Sequence, residues 1–273
     1  MSVINTNVKS LITQAALSRN SRDLDTAMHQ LSTGKRINSA ADDAAGLAIT
    51  NKMTAQVKGL DQAVRNANDA ISMMQTAEGA TIEITSMLQR MRELAVQAAN
   101  GTNSDNNTSA LQQEFVQLQA EIIRISEDTE WNGMNILGAD AGDYDMQIGA
   151  NSGQTLTITF SDIAALENVE EVVTLNPLDL SAGSTITLMD RAIEDIDNFR
   201  ADMGAKINRL EHTADNLTNI SINTAASRSR ILDTDYAKAA SELARTQIIQ
   251  QAATSILAQA NTDQQTVLQL LQG

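Results

Sequence analysis

Residues 57–98 read VKGLDQAVRNANDAISMMQTAEGATIEITSMLQRMRELAVQA. Val57, Leu60, Val64, Ala67, Ile71 and Met74 alternate spacings of three and four. Ile84, Leu88, Met91, Ala95 and Ala98 resume the alternation. This is the apolar stripe of an amphipathic helix. Glu78 and Gly79 separate the two runs, so a phase shift is expected there, with a local change of supercoiling. Asp42 and Asp43 stand where they favour the first turn. Unbroken from about residue 43 to residue 99, the helix would be roughly 85 Å long at about 1.5 Å per residue. A compact monomer rarely contains such a rod.

Moving outward, Gly101-Thr102-Asn103-Ser104-Asp105-Asn106-Asn107 is a turn region. The stripe returns at Leu111, Phe115, Leu118, Ile122 and Ile125, which predicts an antiparallel helical hairpin closed by Trp131-Asn132-Gly133. Residues 134–188 change character. Tyr144, Met146 and Ile148 alternate with polar residues, and so do Leu156, Ile158 and Phe160. Asn151-Ser152-Gly153 is a turn between them, and Thr185-Ile186-Thr187-Leu188 is a further expected strand. Helical rhythm then resumes with Ile196, Met203, Ile207, Leu210, Ala214 and Leu217, with Arg200 as the polar exception.

The two ends carry stripes of their own. Leu17, Leu24, Met28 and Leu31 form a heptad-like row that stops at Ser32-Thr33-Gly34-Lys35. From about Ser229 the chain carries Leu243, Ile249, Ala252, Ile256, Val267, Leu270 and Leu271, with further alanines that permit close helix approach. Neither end can bury its stripe alone. Lone helices are marginal in water, so ordering of the ends is expected to accompany assembly. The expected fold is mainly α: a long antiparallel helical bundle and coiled-coil rod formed by the N- and C-terminal halves, with a small central β region.

Charge is unevenly placed. Of the formal net charge of −15, residues 139–202 hold −11, residues 1–138 hold −4, and residues 203–273 are neutral. Neutral ends avoid repulsion when copies pack together, and an acidic middle keeps an assembly soluble. No basic face exists to displace counterions, so nucleic acid is a poor partner. No run approaches about 18 apolar residues, so no membrane insertion is expected. The first residues lack a signal-peptide pattern, so export would need a route without a cleaved leader. Cysteine is absent, which excludes disulfides and thiolate chemistry.

No constellation for catalysis stands out, and no cofactor or metal is expected. His29 and His212 lie in helical runs with no second ligand at a metal-like spacing. Asp42-Asp43, Glu170-Glu171 and Asp195 with Asp197 read as capping or solvated acids, since nothing places them across a substrate. Gly149-Ala150-Asn151-Ser152-Gly153 lacks the lysine and following helix of a phosphate loop. Asn-x-Ser/Thr triplets begin at Asn106, Asn107, Asn216 and Asn219, weak signals in a chain rich in Asn and Thr.

Several long motifs occur in order: INTN at 4–7, LSTGKRINSAADDAAGLAI at 31–49, RNANDAISMMQTAEGA at 65–80, LQRMRELAVQAANGTNS at 88–104, SRSRILDTDYA at 227–237 and QIIQQAATSILAQAN at 247–261. Together they resemble bacterial flagellin over about residues 1–138 and 190–273. The resemblance implies an exported structural subunit that polymerises into the flagellar filament used for swimming. It implies a filament-core helical domain from 1–42 and 229–273 and an outer helical-bundle domain from 43–138 and 189–228. Residues 139–188 would be a short central β-rich region in place of large outer domains. Leu17, Leu24, Met28, Leu31, Leu243, Ile249, Ile256, Val267, Leu270 and Leu271 are then the expected self-assembly core.

The implied partners are many copies of the chain itself, an export chaperone, the type III export apparatus, and the filament cap and hook-junction proteins. In some bacterial lineages the family also carries a patch read by a toll-like innate immune receptor of the host. Its pattern matches Gln89, Arg90, Leu94 and Glu114, in a packing surface where Leu94 would pack and Arg90 and Glu114 would be partly solvated. Three departures from the family pattern stand out. The usual proline after the QAN run is missing, the chain ends in Gln272-Gly273 where arginine is common, and Trp131 stands where phenylalanine is usual. The rival readings are a hook–filament junction protein, an enzyme-bearing variant and a free helical adhesin. The continuous match through 88–104 and 247–261 favours the filament subunit.

Overall fold

The computed structural model describes residues 6–176, 180 and 183–272, with side chains as far as residue 262. Among them the order is α1 (Val8–Thr33), α2 (Ala44–Ala98), α3 (Asp105–Asp128), β1 (Glu130–Trp131), β2 (Met134–Asn135), β3 (Asp143–Gln147), β4 (Thr155–Thr159), α4 (Glu167–Thr174), α5 (Gly183–Leu232) and α6 (Tyr236–Gln272). The chain divides into two units, 1–55 with 223–273, and 56–222. Helices α2 and α5 contribute residues to both.

The first unit is built on an antiparallel α1–α6 pair. Helix α1 starts at Asn7, whose side chain accepts the Ser10 N–H at 3.0 Å. It ends at Gly34, left-handed at φ 69°, where a Cβ would also lie 2.8 Å from the Tyr236 hydroxyl. The seam on α1 follows Leu17, Asn20, Leu24, Ala27 and Leu31, with the leucines half-buried and Asn20 and Ala27 buried. On α6 it follows Ala239, Leu243, Thr246, Gln250, Ala253, Leu257 and Ala260. Spacings of three and four on both sides are those of a coiled-coil seam. Asn20 donates to the Thr246 carbonyl at 2.8 Å, and Asn7 to that of Ala260 at 2.9 Å.

The seam departs from expectation at one place. Met28 is 54 % exposed, and Ala27 takes the buried position beside it. Both residues satisfy a three-four rule after Leu24, and the smaller one allows the close approach. At the α5–α6 break, Arg36 donates its N–H to Leu232 C=O at 2.7 Å and its guanidinium to Ile231 C=O at 2.7 Å. Thr234 N–H donates to Gly34 C=O at 2.9 Å, and Ile37 is buried. These bonds tie the α1–α2 loop to the α5–α6 junction within the same unit.

In the second unit the stripe on α2 runs Leu60, Ala63, Ala67, Ala70, Met74, Ala77, Thr81, Ile84, Leu88, Met91, Ala95 and Ala98, all buried. The alternation of three and four is unbroken, so the expected phase shift near Glu78 and Gly79 does not occur. Ala77 and Thr81 carry the stripe across, and the Thr81 hydroxyl is satisfied by the Glu78 carbonyl at 2.9 Å. Small and hydroxyl-bearing side chains hid the continuity. Phe115 and Ile122 of α3 and Met189, Ala192, Ile196, Met203 and Leu210 of α5 complete this core.

Two hairpins pack on it. β1 and β2 join through Asn132 (φ 51°) and Gly133 (φ 77°), both left-handed as a two-residue type I′ turn requires. β3 and β4 pair from Asp143↔Thr159 to Gln147↔Thr155, with the turn at 151–153 as expected. Leu156 and Ile158 face the core, and Tyr144 meets Phe160 edge-on at 5.8 Å. The strand expected at Thr185–Leu188 is the first turn of α5. Its four-residue alternation fits a strand, but Thr185, Leu188, Met189 and Ala192 continue at helical spacing and are buried. Helix α4, which the sequence reading did not resolve, buries Val169 and Val172. Gln119 fixes it by donating to the Val172 carbonyl at 2.7 Å.

Ala77→Asp is expected to destabilise the protein by more than about 3 kcal/mol, since it buries an unpaired charge. Gly79→Ala, where an added Cβ meets nothing within 4 Å, should stabilise it by about 1 kcal/mol. Urea titration of the two variants checks the pair. Equal effects would place a break in the stripe after all.

Candidate functional site

A two-helix pair buries one stripe per helix, and α1 and α6 each carry more apolar surface than that. On α1, Val8 (53 % exposed), Leu11 (56 %) and Ile12 (65 %) stay outside the seam. On α6, Ile248 (67 %) and Ile256 (57 %) do the same, and Ile249 is less exposed than either. Exposed apolar groups gathered on one element mark an interaction surface. A groove of about 380 Å³ opens between the helices, lined by Lys9, Ile12, Thr13, Ile256, Gln259 and Ala260.

The residues singled out from sequence therefore divide. Leu17, Leu24, Leu31 and Leu243 lie in the seam within the chain. Met28, Ile249 and Ile256 point outward. The side chains of Val267, Leu270 and Leu271 lie outside the described residues. Val8, Leu11, Ile12 and Ile248 are exposed in the same way and were not singled out from sequence. On α1 the signal was a second stripe, Val8, Leu11, Ile12 and Ala15, displaced from the first.

The second cluster sits on the α2–α3 hairpin. Arg90 donates to Glu114 at 2.8 Å and to Glu93 at 2.9 Å. The bond to Glu114, then that to Glu93, raises the guanidinium pKa above its ordinary value. Gln89, Arg90 and Glu114 are exposed, while Leu94 is fully buried in the core and has no surface to offer. Arg92, roughly half a turn round the helix, donates to Asp190 of α5 at 2.6 Å, which raises its pKa too.

The acids and histidines weighed for chemistry take structural places. Asp43 accepts the Gly46 N–H at 2.8 Å and caps α2. Asp42 accepts the N–H groups of Ser39 at 2.8 Å and Asn38 at 2.9 Å, within the loop rather than the helix. These two backbone bonds, Ser39 first, hold its carboxyl below the usual range. Asp195 accepts from Asn168 at 2.8 Å, and His29 and His212 are exposed.

The geometry is one of packing surfaces, and comparison with known proteins agrees. The model of the bacterial flagellin N-terminal helical region matches residues 4–141, and that of the C-terminal helical region matches 186–271. The chain belongs to the bacterial flagellin family. A flagellin of Halalkalibacterium halodurans is 45 % identical over 271 residues, covering 98 % of this chain and 99 % of its own. Flagellin A of Vibrio cholerae is 35 % identical, with the same coverages over a 375-residue alignment. The crystal structure of Bacillus cereus flagellin superposes with a TM-score of 0.51 at 38 % identity, over 60 % of this chain and 94 % of that one.

A flagellar hook-associated protein of Vibrio parahaemolyticus shares the fold at a TM-score of 0.60, covering 70 % of this chain and all of its own, but at 12 % identity. The flagellins match in sequence along nearly their whole length, so the junction-protein reading is not favoured. The chain is a structural subunit of the flagellar filament, an extracellular polymer of many copies. No described helix is long and apolar enough to cross a membrane.

The lowered pKa of Asp42 has a consequence with a definite sign. A depressed carboxyl adds stability above its unfolded-state pKa, near 3.9, and loses it as pH falls through the lower folded value. Amide exchange at Asn38 and Ser39 should therefore accelerate below about pH 4 once corrected for intrinsic rates. Asp42→Asn should remove that pH dependence. An Asp42 titration midpoint at or above the ordinary value, read by NMR, would contradict the assignment.

Proposed function

We propose that the chain is exported without folding into its final form and polymerises through the outward faces of α1 and α6. The observation that carries this is the set of large apolar side chains on that pair: Val8, Leu11, Ile12, Met28, Ile248 and Ile256. Association through such faces is driven by removal of apolar area from water. In this reading residues 1–42 and 229–273 form the filament core. Residues 43–138 and 189–228 form the outer helical layer, and 139–188 the short central region. The chain works by packing and catalyses no reaction.

The further partners follow from the family. An export chaperone holds the C-terminal segment, the type III apparatus passes the chain outward, and the cap and hook-junction proteins bound the polymer. A toll-like receptor of a host would read Gln89, Arg90 and Glu114 at the surface of the α2–α3 hairpin, with Leu94 supporting them from the core. Arg90→Ala should then weaken receptor activation in a reporter-cell assay while leaving the melting midpoint unchanged. An unaltered dose response would remove Arg90 from the receptor contact.

Deletion of residues 1–30 tests the assembly reading. It removes the α1 partner of the seam and the outward residues Val8, Leu11, Ile12 and Met28. Filament growth on sheared seeds, followed by electron microscopy, is expected to be lost while most helical circular dichroism from residues 56–222 remains. Filament yield equal to that of the full chain would sink the proposal.

A further inference from the structure

We infer that the groove between α1 and α6 of one copy receives Met28 of a second copy, with that copy's Asp25 set against Lys9. The inference rests on the polymerising function above and names the two surfaces that meet. An open polymer needs a heterologous contact, in which two different patches of the same chain complement one another. The first unit carries two such patches.

The first is the groove of Lys9, Ile12, Thr13, Ile256, Gln259 and Ala260. Its floor is apolar, and Ile12 and Ile256 are 65 % and 57 % exposed. Its charge is singular. In residues 6–18 Lys9 is the one charged side chain, and residues 246–262 of α6 have none. The second patch lies about four turns along α1. Met28 is 54 % exposed there, displaced from the seam by Ala27. Asp25 precedes it by one turn on the neighbouring face and is exposed. Neither Lys9 nor Asp25 has an ion-pair partner among the described residues.

The two patches match in kind. A flexible thioether suits an irregular apolar groove. One cation at the rim of the groove meets one anion beside the inserted side chain. The patches are too far apart on one helix to meet within a chain, so the contact requires a second copy.

Charge exchange tests this. Lys9→Asp and Asp25→Lys are exposed changes on α1 that leave its seam intact. Each alone is expected to slow elongation on wild-type seeds by about tenfold or more at low salt, and the double variant should recover elongation on its own seeds. The chain has no cysteine, so a direct check is available. Filaments grown from mixed Lys9→Cys and Asp25→Cys subunits should give covalent dimers with a short bis-maleimide, and filaments of either variant alone should not. Single variants that elongate like wild type, no recovery in the double, or mixed filaments without dimers would each overturn the contact while leaving polymerisation standing. Failure of wild-type subunits to elongate would instead overturn the function on which it rests.

Discussion

Two helices packed side by side share one seam, and the rest of each helix surface faces elsewhere. That constraint separates the two units of this chain. In residues 56–222 the stripe on α2 is met by α3, α5 and the β3–β4 hairpin, and Met74, Ile84, Leu88 and Met91 are completely buried. In the other unit α1 has α6 as its partner. Leu17, Leu24 and Leu31 are only half-covered there, and Ile12 and Ile248 are 65 % and 67 % exposed. Helices of similar apolar content thus end in different environments because they have different numbers of neighbours. In the assembly proposed above, other copies supply the missing neighbours of α1 and α6.

The seam is made mostly of small and polar groups, with Asn20, Ala27, Ala239, Thr246, Ala253 and Ala260 buried in it. Small residues let the axes approach but contribute little apolar area per layer. Asn20 and Asn7 offset this with direction rather than area. Their donation to the carbonyls of Thr246 and Ala260 favours one antiparallel register over a slipped one. The Gly34–Arg36 bonds to residues 231–234 anchor one end of the pair. A pair held by register-setting bonds and a thin apolar seam draws much of its stability from whatever covers its outer faces.

Where the apolar stripe was dense, the sequence was sufficient: the extent of α2, the α2–α3 turn and the β3–β4 hairpin all follow from spacing. It was less legible where small residues occupy buried positions. Ala77 and Thr81 carry the α2 stripe through Gly79, but a reading weighted toward large apolar residues saw a break. The same bias chose Met28 over Ala27 in the seam. At Thr185–Leu188 four alternating residues look like a strand, and only the packing of the following turns decides for a helix. The exposed apolar faces of α1 and α6 were half visible for a related reason. Periodicity reports that a stripe is apolar, and it cannot say whether the chain itself or another copy covers it.

Charge distinguishes those two cases better than hydrophobicity does. The strongly exposed apolar residues of α1 and α6, Met28 and Tyr236 apart, fall within 6–18 and 246–262, where Lys9 is the single charge. Charge resumes at Arg19 on α1 and at Arg245 on α6. There Arg245 pairs with Glu242 and holds that carboxyl below its ordinary range. A surface meant for water would not keep such a span free of charge beside an overall excess of −15. A surface meant for other copies must, because each buried ion has to be desolvated. Lys9 is the exception within that span, and a buried lysine is tolerable when an anion meets it. In the contact proposed above, that anion is Asp25 of another copy, an exposed carboxylate beside Met28 with no ion-pair partner among the described residues.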